Sequence, residues 1–124
     1  MDRLAACEQH LRSAGLLADV DPATACAALY DAARKAVTAH MLARGYRVQN
    51  RAGAHEAVGL YAASELDDPT GSVGWLQAMR LKRNRSEYHD VPVGRQEVAA
   101  DLTRAWGIVA AVRAALEERA VPGE

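Results

Sequence analysis

Ten consecutive residues, Leu81-Lys82-Arg83-Asn84-Arg85-Ser86-Glu87-Tyr88-His89-Asp90, bring together cations, an amide, a phenol and an imidazole in one short stretch. Just upstream, Leu76 and Met79 form an apolar line at helical spacing, and the next position on that line is Arg83. Arginine is rarely buried without partners, and its rigid fork of donors fits phosphate or carboxylate. An inward arginine followed by Asn84, Tyr88 and His89 therefore has the composition of an anion site, to which Arg80 and Arg85 add charge. A structural reading stands beside it. Basic side chains in the last turns of a helix complement its macrodipole, and Arg83 with Glu87, or Arg85 with His89, are ordinary i, i+4 neighbours.

Positioning that stretch is the task of the helices around it. The chain of 124 residues fits one domain, here taken as residues 1–124, and is long enough to bury a core. Half of the residues are apolar, 27 of them alanine, and there is no phenylalanine. Such a core is built by close approach of helices rather than by large rings, which predicts an all-α fold. A net charge of −1 supplies no overall field for nucleic acid, so any such binding must rest on a local patch.

Residues 2 to about 18 read as an amphipathic helix with Leu4, Cys7, Leu11 and Ala14 inward and His10 beside that stripe. Gly15 marks its loosening. Asp21-Pro22 is an N-cap acid followed by proline at the first helical position. The helix it starts runs to about Arg44, where Gly45 can take the left-handed conformation that ends it. Its expected inward line is narrow: Cys26, Leu29, Tyr30, Ala33, Val37 and Met41, with Asp31, Arg34 and Lys35 as the solvated face and His40 partly buried. Residues 46 to 52 read as a loop and 53 to 66 as a short third helix opened by His55-Glu56. Asp68 or Ser72 caps a fourth helix carrying Trp75, Leu76 and Met79 into the basic stretch, and Pro92 sets its end near residues 88 to 90. The negative end of a helix cannot attract an anion, so affinity there must come from Arg80, Lys82, Arg83 and Arg85 themselves. A fifth helix, from Gly94 or Arg95 to about Arg119, places Val98, Leu102, Ala105, Trp106, Val109, Val112 and Leu116 inward. Trp75 and Trp106 are expected in the core or across a dimer seam.

Cys7 and Cys26 form no CxxC pair and sit among alanines, as buried free thiols would, and no His or Cys cluster has metal-ligand spacing. The expectation is no metal and no cofactor. No leader pattern and no apolar run of the roughly 18 residues needed for a membrane span occur, so a reducing cytoplasm and no membrane partner are expected.

The order of these pieces resembles a HEPN domain, the small helical bundle of prokaryotic toxin–antitoxin and defence systems that also occurs beside minimal nucleotidyltransferases. The likeness rests on Leu29-Tyr30-Asp31-Ala32-Ala33-Arg34-Lys35-Ala36, on the Arg44-Gly45-Tyr46-Arg47 close, on His55-Glu56, and above all on Arg83-Asn84 with His89 five residues beyond. It implies an up-and-down four-helix bundle with an additional short helix, a homodimer, and an antitoxin or nucleotidyltransferase partner protein. In active members such a pair is a metal-independent ribonuclease site, which would make Arg83 the phosphate clamp and His89 the proton carrier. On a regular helix, however, Arg83 and His89 point about 120° apart, and Tyr88 takes the position of the histidine in the tighter motif. Arg-Asn with trailing Glu-Tyr also resembles members that bind without cutting. Two function classes follow, with a third beside them. The first is a non-catalytic module holding RNA, a nucleotide or an acidic partner through Arg80, Arg83, Asn84, Arg85 and Tyr88. The second is an endoribonuclease using Arg83 and His89, and the third a structural dimerisation module.

Overall fold

The computed structural model describes residues 3–45, 75, 76, 78–81 and 94–120, with side chains given as far as Glu117. All regular structure among these residues is helical. Helix α1 spans Arg3–Leu17 and α2 spans Pro22–Ala43. A short helical segment follows at 76 and 78–81, and a long C-terminal helix spans Arg95–Ala120.

The α1 pattern is realised as expected: Leu4, Cys7, Leu11 and Ala14 are its buried residues. The helix continues through Gly15 to Leu17, where the amides of Val20 and Asp21 return to the Leu17 carbonyl at 3.0 and 2.7 Å and turn the chain. Asp21 then caps α2. Its carboxylate accepts from the Thr24 amide at 3.2 Å and from Thr24 Oγ1 at 2.6 Å, with Pro22 in the first turn. These bonds favour the charged carboxylate and hold the Asp21 pKa below its ordinary value of 3.8. At the other end the Arg44 amide reaches the His40 carbonyl at 3.2 Å, and Gly45 takes φ +87°, a left-handed conformation that glycine adopts without the steric penalty of a Cβ.

Helix α2 is buried far more widely than a narrow stripe. Ala25, Ala32, Ala36, Ala39 and His40 join Cys26, Leu29, Tyr30, Ala33, Val37 and Met41 in the interior. The physical reason is its central position, packed against both α1 and the C-terminal helix. Alanines on two faces let both neighbours approach closely. Tyr30 and Leu29 are the largest side chains it buries completely, while Cys7 and Cys26 are buried and not joined in a disulfide.

Chain direction follows from side-chain meetings. Residues 3 to 10 of α1 border the same cleft as residues 34 to 38 of α2, so these two helices run antiparallel. Glu8 on α1 pairs with Arg113 of the C-terminal helix at 2.8 Å, while Gly15 faces Leu102. The first and last helices therefore also run antiparallel. On the C-terminal helix Val98, Asp101, Ala105, Ile108 and Val112 are all buried, in steps of three and four residues. Trp75, Leu102, Trp106 and Leu116 pack as partly buried side chains against the same core. No helix among the described residues is long and apolar enough to cross a membrane.

Candidate functional site

Of the residues expected to form the helix-end site, Arg80 is the one that lies among the described residues. Arg83, Asn84, Arg85, Tyr88 and His89 lie outside the described residues, as do Lys82, the third helix expected at 53–66 and its His55.

The segment leading to Arg80 is held by its apolar face. Leu76 and Met79 are buried in the common core, while Ala78 and Leu81 are exposed on the other side. Arg80 follows Leu76 by four residues and so continues the inward face by one turn. The result is a half-buried arginine whose Nε is enclosed by protein and has no hydrogen-bond partner. An enclosed N–H without an acceptor costs about 1–3 kcal/mol relative to a bonded one, and an oxygen anion that reached this guanidinium would recover part of that.

A second contact fixes this segment in rotation. The indole N–H of Trp75 donates to Asp101 Oδ1 at 3.0 Å, tying the start of the segment to the C-terminal helix. Asp101 is only 5% exposed. This buried carboxylate was not among the inward residues expected from the sequence. The signal that reveals it is the regular three–four stepping from Val98, which lands on Asp101 before Ala105 and Ile108. A buried acid needs hydrogen bonds to remain in the core, and the bond from Trp75 is one such support.

Two of the three residues expected on the solvated face of α2 depart from it. Lys35 is exposed, but Asp31 and Arg34 are half-buried, and the Arg34 Nε is, like that of Arg80, enclosed without a hydrogen-bond partner. A cleft of about 440 Å³ lies between α1 and α2 here, bordered by Arg3, His10, Arg34, Lys35 and Thr38 with Cys7 at its buried side. Arg34 borders this cleft beside α1, a neighbour that a reading of α2 alone does not anticipate. His10 is exposed at this cleft, whereas His40 is buried at 3% exposure.

No group of three or more His, Cys, Asp or Glu side chains converges among the described residues. No protein-family model matches the chain, and no curated protein or solved structure is significantly similar to it.

Proposed function

We propose that this chain is a HEPN-like helical module that binds single-stranded RNA without cutting it, through the helix end that carries Arg80, Arg83, Asn84, Arg85 and Tyr88. The observation that carries this reading is Arg80, a half-buried arginine on the face of Leu76 whose enclosed Nε has no partner within the described chain. It stands at the head of a basic sequence in which Arg83 and Arg85 are added within five residues. Arginines at this spacing suit a phosphodiester backbone, and Tyr88 supplies a ring on which a base can stack. Asn84 would orient the helix end or the bound strand.

The setting we propose with it is an up-and-down bundle in a cytoplasmic toxin–antitoxin or defence system. It would act as a homodimer, beside an antitoxin or nucleotidyltransferase protein. No cofactor enters this reading. A ribonuclease reading is kept for one specific feature, the Arg83 to His89 spacing, in which His89 would move the proton of the ribose 2′-hydroxyl while Arg83 balances charge on the phosphate.

Both readings are tested in one mixture. A fluorescently labelled single-stranded RNA is titrated in EDTA with the wild type, Arg80→Gln, Arg83→Ala and His89→Ala, and each sample is then run on a denaturing gel. The binding module predicts saturable anisotropy in the wild type, weakening of about tenfold in each arginine variant and intact RNA throughout. Cutting that disappears in both Arg83→Ala and His89→Ala transfers the site to the ribonuclease reading. A folded wild type that neither binds nor cuts overturns both, and a nucleotide or an acidic protein then becomes the ligand to try.

A further inference from the structure

Positive charge gathers at the cleft between α1 and α2, with Asp31 one turn before Arg34 and Lys35 on α2 but not among its lining residues. Arg3 and His10 approach it from α1, and Arg34 and Lys35 from α2. No carboxylate borders it among the described residues. The acid nearest to it on α1, Glu8, is engaged elsewhere, bound to Arg113 of the C-terminal helix at 2.8 Å. Thr38 offers no free donor, because its hydroxyl donates to the Arg34 carbonyl at 3.0 Å. The donors left for a guest are therefore the basic side chains, among them the half-buried Arg34, whose Nε is enclosed and which can meet a guest only through its terminal nitrogens.

Bringing three permanent cations around one cavity is unfavourable unless an anion joins them. The remaining wall is apolar, formed by Ala6 and the buried side of Cys7. At about 440 Å³ the cleft falls within the usual size of a small-molecule site, mostly apolar with a few placed polar groups. We propose that it binds a small organic phosphomonoester. The dianionic head lies between Arg34, Arg3 and Lys35, and a flat or apolar body rests on Ala6 and Cys7. Arginine in the central place favours a head that can accept two parallel N–H bonds, and a dianion matches the surplus charge better than a carboxylate does. None of these residues belongs to the Arg80–Tyr88 helix end, so this inference stands apart from the RNA-binding reading.

The test is a calorimetric titration of the full chain at pH 7.5 with phenyl phosphate, benzoate and inorganic phosphate in parallel. At this pH phenyl phosphate is chiefly dianionic, since the second ionisation of a phosphomonoester lies near 6. Phenyl phosphate should bind about tenfold more tightly than either of the other two, because benzoate lacks the second charge and inorganic phosphate the apolar body. Arg34→Gln and the exposed Lys35→Gln should each weaken it several-fold to about tenfold, and Arg34→Lys should restore only part of the loss. Arg83→Ala should leave it unchanged, so that a failure here and a failure of RNA binding are read separately. No saturation by about 10 mM phenyl phosphate, equal binding of benzoate, or wild-type affinity in folded Arg34→Gln and Lys35→Gln each overturns the proposal.

Discussion

Asp101 and Arg34 are both charged residues drawn into helix packing, and their surroundings differ in kind. Asp101 stands on the buried stripe of the C-terminal helix and receives the Trp75 indole N–H at 3.0 Å from an element 26 residues away in sequence. Arg34 stands at the edge of α2 against α1, and its enclosed Nε has no hydrogen-bond partner. A polar group needed to hold two helices in register has its partner within the fold. Arg34 has no such partner for its Nε, and what its half-buried guanidinium offers an anion from solution is its terminal nitrogens. Arg80 belongs with Arg34 in this comparison, and the Glu8–Arg113 pair belongs with Asp101.

The largest effect expected from breaking this contrast is at Trp75. Trp75→Phe keeps a ring against the core but removes the donor to Asp101, so chemical denaturation should show a loss of about 1–3 kcal/mol. A loss near zero would place Asp101 outside the set of groups that hold the fold. Next in size is the pair joining the first and last helices, whose side chains are about one third exposed. A double-mutant cycle through Glu8→Gln and Arg113→Gln should return a coupling of about 0.5–1 kcal/mol that shrinks in high salt.

Arg34→Gln sharpens the other side. Since this side chain's enclosed Nε has no hydrogen-bond partner, its removal should not lower unfolding stability and should raise it by up to about 1 kcal/mol, while phosphomonoester binding falls. A large destabilisation would show that Arg34 serves the fold. The smallest effect concerns the exposed cap of α2. Hydrogen bonds from Thr24 lower the folded-state pKa of Asp21, so its stabilisation is present above the ordinary value of 3.8 and is lost as pH falls through the lower folded value. Thermal melts of the wild type and Asp21→Ala should differ at pH 7 and converge towards pH 2.

How much of this was legible in the sequence depends on residue type. The α1 stripe could be read because leucine and cysteine alternate with charged residues at helical steps, and the ends of α2 because Asp21-Pro22 and Gly45 are strong local signals. The breadth of the buried face of α2 could not be. Alanine favours helix whether inside or outside, so Ala32, Ala36 and Ala39 carry no mark of the two neighbours that cover them. Asp101 was hidden by its identity although its spacing was plain, since a carboxylate on an apolar stripe is ordinarily assigned to solvent. Arg34 was hidden by its length, because a long side chain on a surface helix gives no sign of which neighbour will cover its stem. Of the expected helix-end site, Arg80 alone lies within the described residues, where it is half-buried.

The salt dependence of RNA binding tests the central claim most directly. With a net charge of −1 the chain offers little general attraction, so the slope of log K against log salt counts local phosphate contacts, at about 0.7 per contact for a single strand. Arg80→Gln and Arg83→Ala should each make the wild-type slope shallower by about 0.7, whereas Arg34→Gln should leave it unchanged. An unaltered slope in both helix-end variants, with the loss appearing in Arg34→Gln instead, would contradict it.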